Sequence, residues 1–195
     1  VLTPQPDEVF PPGFDTWITP PWLAERLEGY SRPGHMRGVC TVVMKFFNLF
    51  RPDRSYFGMK DAQQLLVIEQ LARDLNTGVE VVRVPTVREE DGLALSSRNV
   101  RLEPDQRRAA SILHRALESA RDRIGQNLLD ASKIRGEIAS IVALEPLAKL
   151  DYASVADAVT LEELDWIDRQ VLVSLAVWFG SVRLIDNYFL EPPQS

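Results

Sequence analysis

The 195-residue chain contains a single cysteine, Cys40, and only two histidines. A lone cysteine excludes an internal disulfide, and so few cysteine and histidine side chains offer no zinc-type cluster. Cys40 lies in the apolar run 39–43. We therefore expect it to be a small buried hydrophobic residue without a chemical role.

Positive charge and long apolar runs are scarce as well. The chain carries 22 Lys and Arg against 28 Asp and Glu, a net charge of -6, which argues against a nucleic-acid partner. No run reaches the length of about 18 apolar residues that a transmembrane helix needs, so no membrane partner is expected. The hydrophobic content of 45% is enough for a core in one domain or two small ones. A cytoplasmic protein is the default expectation.

Residues 1–85 show the pattern of an α/β fold. Six of the thirteen prolines fall in 4–21, which predicts an ordered but irregular segment. Further on, a strand at 55–57, a helix capped by Asp61 and a strand at 79–84 imply a parallel crossover. We interpret residues 1–85 as the second half of a doubly wound, Rossmann-like parallel sheet. The helix 38–50 is predicted to have one apolar face, made of Val39, Val42, Val43, Phe46, Phe47 and Phe50. The helix after Asp61 is predicted to turn a second apolar face inward, made of Leu65, Ile68, Leu71, Ala72 and Leu75.

Residues 86–195 follow a different pattern, which predicts a small α+β domain. Pro104 precedes one long amphipathic helix that reaches Ile124, and Asp130 opens another helix. The apolar runs 150–156, 170–179 and 182–190 predict an antiparallel sheet, with a hairpin at Gly180-Ser181. His114, on the long helix, is expected at the surface.

Gly58-Met59-Lys60-Asp61 stands between a predicted strand and a predicted helix. Glycine permits close approach of the backbone to a ligand, lysine adds a compact cation, and a helix N-terminus attracts phosphate. By itself the motif is more often an ordinary capped helix start, because Asp is a favoured N-cap residue. Its place at the carboxyl edge of a parallel sheet favours a ligand site.

Leu95-Ser96-Ser97-Arg98 forms a second polar motif. Two hydroxyls and a guanidinium in succession can bind departing pyrophosphate, although a simple polar turn has the same composition. Together with Leu27-Glu28-Gly29, Arg32-Pro33-Gly34-His35 and Pro85-Thr86-Val87-Arg88, these motifs resemble the pantoate-β-alanine ligase (pantothenate synthetase) family over nearly the whole chain.

The resemblance implies roles for particular residues. Gly58, Met59, Lys60 and Asp61 would contact ATP, with Val87 beside the adenine. The segment Leu95–Arg98 would replace the Lys-Met-Ser-Lys-Ser loop of related adenylating enzymes, and Lys60, Ser96, Ser97 and Arg98 would act in catalysis. Pantoate would be bound by Gln64, with Glu28 and Arg32 lining the same cleft. ATP, Mg²⁺, β-alanine and a homodimer complete the family pattern; no residue is assigned as a metal ligand.

Simpler interpretations stay open for several of these residues. Gln64 has the pattern of an exposed helix glutamine, and Glu28 with Arg32 that of a surface ion pair, although Gly29 and Pro33 argue against a regular helix there. Gln63 is interpreted as structural and the Asp186-Asn187 pair as architectural. His35 is interpreted as shaping the start of the helix 38–50, with a direct catalytic role as the alternative.

The family also carries a His-x-Gly-His motif that is absent here, where only Gly34-His35 gives a Gly-His pair. The chain opens without methionine on what resembles the end of a strand. We therefore expect a later part of a longer protein, inactive alone, with the motif upstream of Val1. Two alternatives to the ligase are a nucleotidyltransferase of the same superfamily and a non-catalytic binding or assembly module.

Overall fold

The structure, a computed structural model, describes residues 3–193. The predicted strand end at Val1-Leu2 therefore lies outside the described residues. Within residues 3–193 two compact units are present, one made of 3–57 and 63–83 and the other of 58–62 and 84–193. The division into domains 1–85 and 86–195 stays a prediction.

The first unit contains three single turns of helix, two longer helices and most of a two-stranded sheet. Its elements are α1 (Pro6–Val9), α2 (Pro21–Ala24), α3 (Glu28–Ser31), α4 (His35–Phe50), β1 (Arg54–Gly58), α5 (Ala62–Asp74) and β2 (Glu80–Val84). β1 and β2 pair in parallel, as the crossover pattern predicts. A 3₁₀ turn, Met59–Asp61, separates β1 from α5.

The proline-rich opening segment is ordered along α4. The backbone N–H of Ile18 donates to Oγ1 of Thr41 at 3.1 Å, and the Arg37 guanidinium lies 4.5 Å from the centre of the Trp17 ring. These contacts explain how a segment with little regular structure is held: α4 supplies its hydrogen-bond and ring partners.

Helix α4 forms where it is predicted, and its predicted apolar face is largely covered: Phe47 is buried, and Val39, Val42, Val43 and Phe46 are half-buried. Its buried residues are Met36, Cys40, Thr41 and Phe47, and only Phe47 belongs to the predicted set. Phe50 is 55% exposed. The spacing of hydrophobic residues does not predict the burial of Thr41, because its side chain is polar. Its hydroxyl can be buried because it accepts a hydrogen bond from Ile18 N and donates one to Arg37 O at 2.7 Å.

Helix α5 buries most of its predicted face. Leu65, Ile68 and Leu71 are almost completely buried. Leu75 is 45% exposed, contrary to prediction, because α5 ends at Asp74 and Leu75 no longer follows the helical period.

The second unit is a three-stranded antiparallel sheet with helices packed against it. The strands β3 (Ala148–Asp157), β4 (Val171–Phe179) and β5 (Val182–Leu190) are arranged in the order β3-β4-β5, and the β4–β5 hairpin turns at Gly180-Ser181 as predicted. α6 (Pro104–Ala109), α7 (Ile112–Gly125) and α8 (Ala131–Val142) precede the sheet. The Asp130 carboxylate accepts from Lys133 N at 3.0 Å, which confirms the predicted cap of α8.

The single long helix predicted after Pro104 is instead two helices, broken at 110–111. The Ser111 hydroxyl donates to the carbonyl of Arg108 at 3.1 Å. Local side-chain hydrogen bonds of this kind compete with the hydrogen bonds of a helix. The spacing of apolar residues continues unchanged across 110–111, so the sequence does not reveal the break. The core of this unit includes Leu113, Leu117, Ile134, Ile138, Val173, Leu175 and Phe179.

The predicted fold class, a parallel α/β part followed by an antiparallel α+β part, is confirmed. None of the helices within 3–193 is both long and apolar enough to cross a membrane.

Candidate active site

The turn Gly58–Asp61 leaves its chemically useful groups available. Within residues 3–193 the side chains of Lys60 and Asp61 make no hydrogen bond or ion pair. A Cβ added at Gly58 would meet nothing within 4 Å, so open space lies beside this backbone. Asp61 directly precedes α5, but it belongs to the 3₁₀ turn and does not make the predicted cap bond.

Residues 87–98 form a compact hairpin followed by a turn. Leu95 N donates to Val87 O at 2.9 Å, and the backbones of Arg88 and Ala94 form an isolated antiparallel β-bridge. The structure therefore brings the predicted adenine neighbour Val87 beside the start of the Leu95–Arg98 segment. Both Val87 and Leu95 are largely exposed, at 61% and 50%.

The Ser-Ser-Arg segment is held at one end and open in the middle. The Arg98 N–H donates to Ser96 Oγ at 3.2 Å, and Arg98 Nη1 donates to the carbonyl of Arg183 on β5 at 3.1 Å. Ser97 is exposed. The guanidinium of Arg98, the only charged group in this segment, is therefore partly occupied by its hydrogen bond to the edge strand β5.

Strand β5 also binds the two other predicted nucleotide segments. Asn187 Nδ2 donates to the carbonyls of Lys60 at 2.7 Å and Met59 at 3.1 Å. Asp186 forms a bidentate ion pair with Arg88, the residue after Val87, at 2.6 and 3.0 Å. The architectural interpretation of Asp186 and Asn187 agrees with these contacts, which join the sheet to the segments 59–60 and 88. The available sequence signal for these contacts was two polar residues within the predicted apolar strand 182–190, but the sequence did not identify their partners.

The Arg88–Asp186 pair belongs to a half-buried polar cluster. Burial by itself would lower the pKa of the Arg88 guanidinium. The hydrogen bond and the negative charge of Asp186 outweigh this effect, so the pKa of Arg88 is raised overall. Tyr188 OH donates to Glu118 at 2.7 Å, and its pKa is raised by burial and by this bond. Arg88 also lies 5.0 Å from the centre of the Tyr188 ring.

His114 belongs to this cluster, so its predicted surface position is wrong. It is half-buried, with Nδ1 3.2 Å from Tyr188 OH. A Cβ at Gly92, which has a φ of +85°, would come within 1.8 Å of the His114 ring. Gly92 is therefore required both by its backbone conformation and by the ring against it.

A separate ion-pair network fixes the hairpin to α6. Arg107 donates to Asp91 at 2.6 and 3.1 Å and to Glu89 at 2.5 Å. The hydrogen bonds from Arg107 hold the pKa of both carboxyls below their usual range. This network was not predicted from the sequence.

In the first unit, Gln63 organises the predicted substrate segment. Its side-chain amide is buried and donates to the carbonyls of Leu23 and Arg26, each at 2.6 Å, while Oε1 accepts from Glu28 N at 2.9 Å. The structural interpretation of Gln63 is confirmed. Its neighbour Gln64 is half-buried, and its side chain makes no hydrogen bond within the described part of the chain.

Glu28 and Arg32 lie in different environments. Glu28 is buried at 9% exposure and begins α3, a single helical turn that the sequence did not predict. Arg32 is exposed, and its Nη1 lies 3.0 Å from Nε2 of His35. The turn closes because Arg32 N donates to Glu28 O at 2.9 Å. Gly29 is required within it, because an added Cβ would clash with the backbone carbonyl of Ala24.

Comparisons with known proteins identify the family of this chain. The sequence model of the family described as pantoate-beta-alanine ligase matches residues 1–189. The chain belongs to the pantoate-beta-alanine ligase family. It is 55% identical to a pantothenate synthetase of Chloroflexus aurantiacus over 192 residues, 98% of this chain and 68% of that protein.

Two solved structures show the same fold. A crystal structure of pantothenate synthetase from Thermus thermophilus matches with a TM-score of 0.90 at 43% identity, over 95% of this chain and 67% of that one. A pantoate-beta-alanine ligase of Francisella tularensis, complexed with beta-gamma ATP and β-alanine, matches with a TM-score of 0.69 at 31% identity. The match covers 94% of this chain and 61% of the Francisella chain. The relatives are ligases of pantothenate synthesis, as the resemblance predicted.

Proposed function

We propose that this chain contributes to the ATP-dependent joining of pantoate to β-alanine in two steps. The pantoate carboxylate attacks the α-phosphorus of ATP, which forms pantoyl adenylate and releases pyrophosphate. The neutral amine of β-alanine then attacks the acyl carbon, forming the amide of pantothenate and releasing AMP. Membership of the ligase family supports the overall reaction, and the adenylate is part of the proposal.

The observation that carries the nucleotide assignment is the common attachment of three segments to β5. Asn187, Asp186 and the carbonyl of Arg183 bind the segments that contain Lys60, Val87 and Arg98. Lys60 and Arg98 supply positive charge for the phosphates, and Ser96 and Ser97 supply hydroxyl donors. Charged and hydroxyl donors of this kind stabilise charge that develops on a leaving group. The Francisella relative, crystallised with beta-gamma ATP and β-alanine, supports ATP as the nucleotide.

The pantoate assignment depends on residues of the first unit. Gln64 has an amide that can donate and accept and that makes no hydrogen bond within residues 3–193. We assign it to the hydroxy acid, with Glu28 and Arg32 as further contacts. Displacement at phosphorus depends on positioning and charge more than on covalent catalysis, which fits such a set of binding groups.

Mg²⁺ enters the proposal with the nucleotide. Among residues 3–193 no group of three or more His, Cys, Asp or Glu side chains could hold a metal ion. Mg²⁺ is commonly bound through substrate phosphates with few protein ligands, so this chain's residues are assigned no step with it. A homodimer is proposed from the family resemblance alone, and a cytoplasmic location stays the default expectation.

Pantoate-dependent exchange of pyrophosphate into ATP tests the first step. We expect the native enzyme that carries this sequence to exchange labelled pyrophosphate only when pantoate is present. Exchange that is independent of pantoate would instead support a nucleotidyltransferase. Absence of exchange with all substrates would exclude the adenylate.

We also propose that the 195-residue chain makes no pantothenate alone, because these residues contain no His-x-Gly-His motif. A steady-state assay of the purified chain beside a complete relative would test this. Addition of a separate polypeptide that carries the relative's motif should restore some pantoate-dependent exchange. Pantothenate synthesis by the chain alone would contradict the proposal.

A further inference from the structure

Asn187 lies in the middle of β5 and is only 6% exposed. Its side-chain Nδ2 donates to Lys60 O at 2.7 Å and to Met59 O at 3.1 Å, across separations of 127 and 128 residues. The two acceptors are consecutive carbonyls of the 3₁₀ turn. One amide group therefore fixes two adjacent peptide planes, all within the same compact unit.

The chemistry of this contact requires an amide. The NH₂ group of asparagine has two hydrogen atoms to donate, one for each carbonyl. An aspartate has the same shape but, when ionised, only accepts hydrogen bonds. Because a buried polar group is costly unless it is paired, the contact is specific and not merely a way to fill space.

The Lys60 side chain has no such support of its own. It makes no hydrogen bond or ion pair within residues 3–193, so its direction depends on the backbone that Asn187 holds. The segment 59–60 is otherwise a short 3₁₀ turn, which is intrinsically a weak structure.

We propose that Asn187 is a positioning residue for the nucleotide: it holds the Met59 and Lys60 backbone so that the lysine is presented to the phosphates. This inference rests on the proposed function, in which Lys60 binds ATP. Asn187 itself contacts only protein, so it acts through the turn.

Two substitutions at one position separate positioning from packing. In pyrophosphate exchange by the native enzyme, Asn187→Ala should raise the KM for ATP at least ~10-fold and change that for pantoate little, since buried acceptors lose their donor. Asn187→Asp should lower kcat/KM for ATP further, because a carboxylate would face two carbonyl oxygens. If Asn187 only fills space, the isosteric Asn187→Asp would be the milder change. Asn48→Ala, at an exposed position of α4, is the matched control.

The pH profile gives a second readout. Relative to the native enzyme at each pH, Asn187→Asp should regain exchange activity as the pH falls, because the protonated carboxyl can donate one hydrogen bond. A loss that is the same at every pH would contradict the positioning role.

Amide hydrogen exchange of residues 58–62 without ligand separates this inference from the proposed function. We expect Asn187→Ala to accelerate exchange there by at least ~10-fold, as for a turn that loses its tertiary contact. Unchanged exchange would overturn the inference even if Asn187→Asp failed to fold. Absence of protection by ATP in the native enzyme would overturn the proposed function instead.

Discussion

Gln63 and Gln64 are adjacent glutamines, yet the structure predicts opposite consequences for their loss. Gln63 is 4% exposed and makes three hydrogen bonds, to Leu23 O, Arg26 O and Glu28 N. Gln63→Ala removes all three and leaves two carbonyls and one N–H without these partners. At about 1 kcal/mol for each bond, the free energy of unfolding should fall by about 3 kcal/mol.

Gln64→Ala is the matched comparison. Because Gln64 makes no side-chain hydrogen bond within residues 3–193, its removal should cost less than about 0.5 kcal/mol of stability. Under the proposed function it should instead weaken pantoate binding by an amount on the order of 1–3 kcal/mol and leave ATP binding unchanged.

Urea unfolding followed by circular dichroism would measure the first difference, and calorimetric titration with pantoate and ATP the second. A loss below about 1 kcal/mol for Gln63→Ala would refute the claim that these buried hydrogen bonds hold the segment 23–28. Equal weakening of pantoate and ATP binding by Gln64→Ala would show general damage to α5 and not a substrate contact.

Four further predictions concern single residues. Lys60→Ala should slow adenylate formation by at least ~10²-fold, the loss typical of one charge-stabilising donor, and a rapid-quench assay with near-native rates would remove Lys60 from the mechanism. Gly92→Ala should lower the thermal midpoint strongly, because its Cβ would come within 1.8 Å of the His114 ring; an unchanged midpoint in calorimetry would contradict that packing. Asp130→Ala should cost about 1 kcal/mol by loss of the α8 cap, measured by urea unfolding against Asp130→Asn, which keeps a capping oxygen. Cys40, whose pKa is raised by burial to about 11, should stay protonated and unreactive toward a thiol reagent at pH 8 until the protein unfolds; rapid labelling of the folded protein would exclude that burial.

The prediction for Cys40 follows from the direction in which burial shifts the pKa of its thiol. Burial disfavours the thiolate, so the folded state binds the proton more tightly than the unfolded state does. The stability linked to this proton is complete below the unfolded pKa of about 8.5 and is lost as the pH rises toward 11. The reactive thiolate therefore becomes accessible at pH 8 only through unfolding.

The sequence by itself determined the order and type of most elements, because their signals are local. Helix α4, the α8 cap at Asp130 and the hairpin at Gly180-Ser181 all follow from periodicity and turn chemistry within a few residues. The same local motifs were enough to indicate the ligase family, which the comparisons show. The roles of Lys60 and Gln64 in that family stay predictions.

Only the tertiary structure decided which polar groups meet. The buried face of α4 depends on the irregular segment that lies on Thr41, and the sequence period cannot contain that information. Asn187 and Lys60 are 127 residues apart, and nothing near either residue in the chain identifies the other. A buried amide needs a partner, but the partner is fixed by how strands and turns pack and not by sequence spacing. For this reason the chemistry-bearing motifs could be found from the chain alone, whereas the contacts that hold them in place could not.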